Sequence, residues 1–170
     1  MTDINEARIL AAYCGIYCGS CGMYRGRIYA GIAGELLEIM KVANYPEELT
    51  INPEADKPDF DFGEFMKGLA YFSKNYSGAY CQESCKDGGG VPCEIRLCAR
   101  ERGLEICYEC HEYPCTHFPL PWVNSPEKMK DYELFRQLGF DGWVQYHAER
   151  AAKGYANATR KYYTQARKED

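Results

Sequence analysis

Apolar residues recur every three or four positions in two long stretches of the first half of the chain. The first stretch contains Ile28, Ile32, Leu36, Ile39 and Ala43. The second contains Phe62, Phe65, Met66, Leu69 and Phe72. This spacing places each set on one face of a helix, and Asp61 followed by Glu64 is typical of a helix N-terminus. The pattern predicts two amphipathic helices, preceded by a shorter helix over Ile4 to Ala12.

The last third of the chain is also helical in pattern. Ser125 followed by Pro126 is a strong helix start, and Gly139 is a stop signal. Between them the predicted buried stripe is Met129, Tyr132, Phe135 and Leu138. Asp141 could cap another helix, which would carry Trp143, His147 and Ala151 and end before Gly154. A basic last helix would hold Arg160, Lys161, Arg167 and Lys168.

No stretch alternates apolar and polar residues as a half-buried strand does. We therefore predict a mostly α fold: one helical domain over residues 1–170, with metal-organised cysteine-rich loops and at most short β-hairpins. The segment from about residue 125 to 170 would be a C-terminal helical extension. A length of 170 residues is typical of one domain.

Composition narrows the function classes. No apolar run approaches the roughly 18 residues of a membrane span, so we expect no membrane association. The formal net charge of −5 argues against nucleic-acid binding, since that role requires a basic face. The first residues lack the features of a signal peptide, which predicts a cytoplasmic protein. The partner is unknown, and a protein partner is possible.

Ten cysteines are the main chemical signal. In a reducing compartment, clustered cysteines are more often metal ligands than disulfides. Cys18 with Cys21, and Cys107 with Cys110, form two Cys-x-x-Cys pairs, which suit a tetrahedral ion because two thiolates reach it from one tight turn. The candidate metal ligands are Cys14, Cys18, Cys21, Cys81, Cys85, Cys93, Cys98, Cys107, Cys110 and Cys115. We expect the N-terminal trio to take a fourth ligand from the later segment.

Spacing alone leaves several assignments open. Zinc and iron–sulfur clusters both accept four thiolates, although the ferredoxin-type cysteine run is absent, which favours zinc. Cys81 and Cys98 could be core residues instead of ligands. His111 and His117 flank the last cysteines but are not needed as ligands, and His147 reads as a half-buried packing residue.

The cysteine motifs together resemble a known family. They are Cys14-Gly15-Ile16-Tyr17-Cys18-Gly19-Ser20-Cys21, Cys93-Glu94-Ile95-Arg96-Leu97-Cys98 and Cys107-Tyr108-Glu109-Cys110-His111-Glu112-Tyr113-Pro114-Cys115. This ordered set is similar to a cysteine-rich bacterial and archaeal family catalogued as a domain of unknown function, over about residues 10–120. The resemblance implies a metal-binding module without an established activity. The wider spacing of Cys81 and Cys85 departs from the tighter pair expected in the family.

Three functions follow from these residues. The first is a zinc-binding protein with closed structural sites, acting as an interaction or regulatory module. The second is an iron–sulfur protein for electron transfer or regulation. The third is a dithiol oxidoreductase, in which Cys18 and Cys21 would sit at a helix start that lowers the pKa of Cys18. The sequence contains no recognisable group of catalytic acid, base or nucleophile residues, so whether the protein is an enzyme stays open.

Overall fold

The computed structural model of the chain describes residues 3–43, 59–76, 78–115 and 125–163. Within these ranges the chain forms five α-helices: α1 (Ile4–Ile9), α2 (Tyr29–Val42), α3 (Phe62–Phe72), α4 (Glu94–Glu101) and α5 (Pro126–Ala152). Two short strands, β1 (Tyr155–Ala156) and β2 (Lys161–Tyr162), pair antiparallel. The predicted mostly α fold is confirmed. His117, Arg167 and Lys168 lie outside the described residues.

Local sequence signals account for where the helices begin. The Asp61 carboxylate accepts a hydrogen bond from the Glu64 amide at 2.8 Å, and the Ser125 hydroxyl accepts one from the Lys128 amide at 3.3 Å. Each bond satisfies an amide that has no partner within the first helical turn. Pro126 occupies the first turn of α5, where its missing N–H costs nothing.

The apolar stripe predicted to be buried on α2 is largely exposed. Ile39 is 63% exposed and Leu36 41%, whereas Ala30 is fully buried and Ala33 8% exposed. The buried residues of α2 are Ala30, Gly31, Ala33 and Leu37, so the buried face is mostly small and allows close backbone approach. The helical period was predicted correctly, but the assignment of its buried face was wrong.

α5 is a helical hairpin. Gly139 has φ 68° and ψ 179°, a conformation outside the helical region that is essentially restricted to glycine. Asp131 and His147 are 16 positions apart, which in a straight helix would separate them by about 24 Å. Their side chains instead meet at 2.8 Å, so the two halves of α5 fold back on each other at Gly139. The predicted stop at Gly139 is therefore present. The carboxylate of Asp141 binds the Arg8 guanidinium at 2.7 Å.

The predicted basic last helix is wrong over its described part. Residues 155–162 form a hairpin instead, in which Tyr155 pairs with Tyr162 and Ala156 with Lys161. Arg160 has φ 58°, a left-handed conformation that a helix does not contain. The helical part of the C-terminal extension therefore ends at Ala152 among the residues described.

The core joins the two halves of α5 to the cysteine-bearing loops. Trp143 and Val144 of α5 are fully buried, as is Ile106, the residue before the second Cys-x-x-Cys pair. Ala7 of α1 and Ala99 of α4 belong to the same cluster. Leu138, predicted to be buried, is 46% exposed because it lies next to the reversal at Gly139. No helix among the described residues is long and apolar enough to cross a membrane.

Candidate metal centre

The two Cys-x-x-Cys pairs have the same local structure. Cys18–Ser20 and Cys107–Glu109 each form a single 3₁₀ turn. In each, the amide of the second cysteine donates to the carbonyl of the first, over 2.9 Å for Cys21 and 3.0 Å for Cys110. The turn brings the paired cysteines onto one short loop, which is the requirement for chelating a single ion.

The similarity extends three residues beyond each pair. The Tyr24 amide donates to the Cys21 carbonyl at 3.2 Å, and the Tyr113 amide donates to the Cys110 carbonyl at 3.1 Å. Both loops therefore have the sequence Cys-x-x-Cys-x-x-Tyr and a matching hydrogen-bond pattern. Each tyrosine is buried, at 6% and 8% exposure, and anchors its loop in the core. Sequence reasoning missed these tyrosines, although their common spacing from the cysteines was visible.

The structure gathers four cysteines from the second half of the chain around one cavity. These residues, called here the second cysteine set, are Cys98, Cys107, Cys110 and Cys115. The cavity has a volume of about 20 Å³, enough for one particle of the size of a water molecule. Cys98 lies on α4, and the others follow along the loop after it. Cys98 on α4 lines the same cavity as the three loop cysteines, so it belongs to the candidate site and is not only a core residue.

A first cysteine set surrounds the other 3₁₀ turn. Its members are Cys14, Cys18, Cys21 and Cys85, which pack together with Ala12 and Tyr24. The backbone pairs Arg25 with Cys81 at 2.8 Å and Cys81 with Met23 at 2.8 Å. These bonds hold the segment that contains Cys85 against the N-terminal trio. The later segment therefore brings a fourth thiol to this trio.

Burial raises the pKa of four of these thiols, three in the first set and one in the second. The pKa of Cys18 and of Cys107 is about 12, first because of burial and then because neighbouring thiol groups would repel a thiolate charge. The pKa values of Cys14 and Cys21 are also raised, chiefly by burial. Without a cation nearby, these four side chains stay protonated at neutral pH.

Backbone amides face three of the buried thiols and lower their pKa, which opposes the effect of burial. The amide of Ile16 interacts with Cys14, and the amide of Cys85 interacts with Cys18. Cys21 faces the amides of Met23 and Tyr24, two and three residues after it. Amide groups pointing at sulfur stabilise a thiolate, the protonation state that binds metal.

Arg102 provides the corresponding contact in the second set. Its Nη1 donates to the Cys110 sulfur at 3.3 Å and also binds the Glu112 carboxylate at 2.6 Å. Glu112 and, to a lesser extent, the charges of Cys98 and Cys110 raise the pKa of Arg102, which stays charged. A permanent cation beside the second set would stabilise thiolate ligands.

Cys81 and Cys93 belong to neither cysteine set, although Cys81 lies close enough to Cys21, and Cys93 close enough to Cys14, to interact with it electrostatically. All ten cysteines are free, and Cys93 packs at the edge of the core without lining the 20 Å³ cavity. The His111 side chain is 87% exposed. In the described ranges, no three His, Cys, Asp or Glu side chains already stand in the geometry of a metal site. The thiol composition and the donors facing sulfur fit a metal, and ion binding would require the thiols to lose their protons and converge.

A second polar arrangement, absent from the sequence predictions, lies beside the first cysteine set. The Asp131 carboxylate accepts hydrogen bonds from the Tyr108 hydroxyl at 2.8 Å and the Trp143 indole at 3.2 Å, and it contacts His147 Nε2 at 2.8 Å. Lys128 lies 3.6 Å from Asp131 and 3.0 Å from the Tyr108 hydroxyl. His147 was predicted to be half-buried and is in fact 6% exposed and bound to a carboxylate. The reversal at Gly139 creates this cluster, so no local sequence pattern marks it.

Comparisons with known proteins support the resemblance seen in the cysteine motifs. No curated protein and no solved structure matched the chain. A family model matched residues 10–119, which contain all ten cysteines and end before α5. That match spans well over half of the 170 residues. The chain therefore belongs to the DUF3795 family, which is described as a protein of unknown function.

Proposed function

We propose that this protein binds zinc in two closed, structural four-cysteine sites and acts as an interaction or regulatory module. The observation that carries the proposal is that Cys98, Cys107, Cys110 and Cys115 all line one small cavity. Four thiols around a space for one ion have the composition of a structural zinc site. The first cysteine set would form the other site, with Cys14, Cys18, Cys21 and Cys85 as ligands.

Bound zinc would supply positive charge that keeps the buried thiols deprotonated. The residues of the chain do the rest: the two 3₁₀ turns present paired sulfurs, and Tyr24 and Tyr113 fix those turns in the core. Arg102 and the backbone amides stabilise the sulfur charge. Four protein ligands leave no open coordination position, which favours a structural role over hydrolysis.

An iron–sulfur cluster is the second candidate, because it accepts the same four thiolates. A volume of about 20 Å³ suits a single ion better than a cluster of several irons with their bridging sulfides. Zinc is therefore the preferred occupant of the second cysteine set.

A dithiol oxidoreductase is less well supported by the surroundings of Cys18. A reactive cysteine needs a lowered pKa, and burial instead raises the pKa of Cys18 to about 12. The helix-dipole argument also fails, since Cys18 lies in a three-residue 3₁₀ turn and α2 begins only at Tyr29. The Cys18–Cys21 pair consequently fits a ligand role better than a nucleophile role.

A cytoplasmic location belongs to the same proposal. All ten cysteines are free, and several are partly exposed, including Cys110 and Cys115. Such thiols persist in a reducing compartment and would oxidise outside it. Zinc binding would further protect the thiolates.

The decisive experiment is anaerobic purification followed by visible spectroscopy, metal analysis and thiol titration. We expect a colourless protein with two zinc ions per chain, one for each set of four cysteines. A brown protein containing iron and sulfide would replace zinc by a cluster. A metal-free protein with a reversible Cys18–Cys21 disulfide would overturn metal binding in favour of the oxidoreductase.

Cysteine variants then locate the sites. Cys110→Ser and Cys21→Ser should each lose about one zinc per chain and lower the melting temperature, because closed sites couple to local folding. Cys93→Ser is the matched control for Cys110→Ser, because it makes the same atomic change at a cysteine that does not line the cavity of the second set. Full metal content in Cys110→Ser and Cys21→Ser would contradict the assignment.

A further inference from the structure

We infer that a second site, bordered by Cys21 of the first cysteine set but built mainly from α5 and the β1–β2 hairpin, binds a small organic anion with a flat aromatic body. A cavity of about 730 Å³ lies between the two ends of α5, the turn after β1 and the loop of Cys21. This volume is within the range of about 300–1,000 Å³ typical of small-molecule sites. The metal proposal assigns no role to this cavity.

The charge around the cavity is predominantly positive. Its cationic lining residues are Lys128, Lys130, Arg150 and Arg160, and its carboxylates are Glu127 and Asp131. Both carboxylates are already engaged, Glu127 by Arg160 at 3.1 Å and Asp131 by Lys128 at 3.6 Å. Among the described residues, Lys130 and Arg150 have no carboxylate within 4.0 Å. Two cations therefore remain to attract an anion.

Arg150 is held in a defined position. Its guanidinium lies 3.5 Å from the centre of the Tyr155 ring, and its Nε contacts the Tyr162 hydroxyl at 3.3 Å. A stacked guanidinium keeps its charge and its planar set of donors, which match the oxygens of a carboxylate, sulfonate or phosphate. The β1–β2 hairpin thus positions a ready anion-binding group at the cavity wall.

Aromatic side chains form much of the rest of the wall. Tyr17 and Tyr155 are buried there, whereas Tyr29 and Tyr146 are 41% and 39% exposed. Flat rings provide apolar contact area and favour another ring packed against them. A ligand with an aromatic body and one anionic group would match both halves of this lining.

One buried polar atom on the wall also lacks a partner. The Nδ1 atom of His147 is buried without a hydrogen-bond partner, while Nε2 of the same ring is bound to Asp131. Buried polar atoms are usually satisfied, because leaving one unpaired costs free energy. His147 lines the cavity through other atoms of its ring, so its resonances report on a ligand bound there.

The location of the site separates it from the family's cysteine motifs. All four cations lie on α5 or after it, beyond the matched residues 10–119. The matched region contributes the opposite wall through Tyr17, Tyr29 and the Cys21 loop. Ligand binding would therefore be a property of this chain's C-terminal extension acting together with the family region.

Two fluorescent probes test the inference on the protein as purified. The first, 8-anilinonaphthalene-1-sulfonate, is an aromatic anion, and the second, N-phenyl-1-naphthylamine, has the same rings without the sulfonate. We expect the sulfonate to bind saturably at one site per chain and about tenfold more tightly than the neutral probe. Equal affinities would overturn the anion preference, and absence of saturable binding would overturn the site.

Variants then assign the binding to this cavity. Arg150→Gln and Lys130→Gln should each weaken sulfonate binding by about tenfold and leave the neutral probe unaffected. Arg136→Gln, an exposed change elsewhere on α5, is the matched control and should alter neither affinity. Lys130 is exposed, so its variant keeps the test valid even if Arg150→Gln fails to fold.

A blocking variant excludes binding at other apolar surfaces. Ala158 is exposed and lines the cavity, so Ala158→Trp should occupy part of the space and weaken binding of both probes. Undiminished binding to Ala158→Trp would place the probe elsewhere and overturn the inference. The His147 ring resonance, assigned with His147→Gln, should shift on adding the sulfonate to the unmodified protein, and an unchanged resonance would likewise contradict a site at this wall.

Discussion

Gly15 lies directly against the ring of Tyr108: a Cβ atom on Gly15 would be 2.4 Å from Cζ of that tyrosine. Gly15 follows Cys14 of the first cysteine set, and Tyr108 lies between Cys107 and Cys110 of the second. Lys128 donates to both the Gly15 carbonyl and the Tyr108 hydroxyl. The loops that carry the two sets are therefore packed against each other, with α5 bound to both.

Replacing Gly15 by alanine should destabilise the protein strongly. Gly15 has φ +75°, which is strained for any residue with a Cβ, and the new methyl group would overlap the buried Tyr108 ring. The two effects together should lower the free energy of unfolding by about 3 kcal/mol. Thermal and urea denaturation of Gly15→Ala measure the loss.

Gly103→Ala is the control that separates strain from overlap. Gly103 has a similar φ of +65°, but a Cβ there would meet no atom within 4 Å. Only the backbone cost remains, about 1 kcal/mol. Equal losses for Gly15→Ala and Gly103→Ala would show that contact with Tyr108 does not matter.

The reversal at Gly139 should depend on glycine itself. Gly139→Ala meets no steric obstacle within 4 Å, but its φ of 68° with ψ of 179° is essentially closed to alanine. We expect a loss of about 2–3 kcal/mol in unfolding free energy. Near-ultraviolet circular dichroism should also change, because Trp143 is positioned by the hairpin. Gly68→Ala, in the middle of α3 with open space around it, is the control and should be neutral or stabilising.

The sequence predicted features that depend on neighbouring residues. The starts at Asp61 and Ser125 and the stop at Gly139 follow from capping and from glycine's conformational range. The buried face of α2 could not be predicted, since the choice between Ala33 and Ile39 depends on which side other elements approach. Single-domain organisation and the metal identity stay predictions.

Contacts between residues far apart in the sequence could not be predicted either. The Cys-x-x-Cys spacing identified each pair of cysteines, but nothing local indicated that Cys98 would share a cavity with Cys115. The cluster of Asp131 and His147 likewise exists only because α5 reverses direction. The common tyrosine three residues after each pair was a readable signal, because Tyr24 and Tyr113 repeat the same hydrogen bond.

Asp131→Asn should destabilise the protein at neutral pH. Burial alone would raise the pKa of Asp131, but the His147 hydrogen bond and charge, with Lys128 and Tyr108, outweigh it and hold the pKa below its usual value. Removing this charge leaves buried donors less well satisfied, at a cost of about 2–4 kcal/mol. Chemical denaturation at pH 7 measures the difference.

The difference in unfolding free energy between the wild-type chain and Asp131→Asn should change with pH in one direction. A carboxylate with a lowered pKa in the folded state contributes stability above its unfolded pKa of about 3.9, and the contribution is lost as the pH falls through the lower folded value. The gap between the wild-type chain and Asp131→Asn should therefore narrow below about pH 4. Asp141→Asn is the control: its carboxylate is 55% exposed, so its loss should matter little at any pH. A constant gap for Asp131→Asn would contradict the charge argument.

Arg102→Gln should weaken metal binding without removing any ligand. The Arg102 guanidinium donates to the Cys110 sulfur at 3.3 Å and so places a positive charge beside a proposed ligand. Loss of such an outer contact typically lowers metal affinity by about tenfold or more. Competition with a chromophoric chelator measures zinc affinity, and the variant should still bind two zinc ions at saturation.

Arg100→Gln supplies the matched control for that measurement. Arg100 lies on the same helix, but its guanidinium donates to the Lys86 carbonyl and not to a thiol. If Arg100→Gln and Arg102→Gln weaken zinc equally, the effect comes from lost net charge and not from the contact with Cys110. Weaker binding of only one of the two zinc ions in Arg102→Gln would show that the second set holds that ion. The contact between Arg102 and Cys110 can change zinc affinity only if Cys110 takes part in zinc binding.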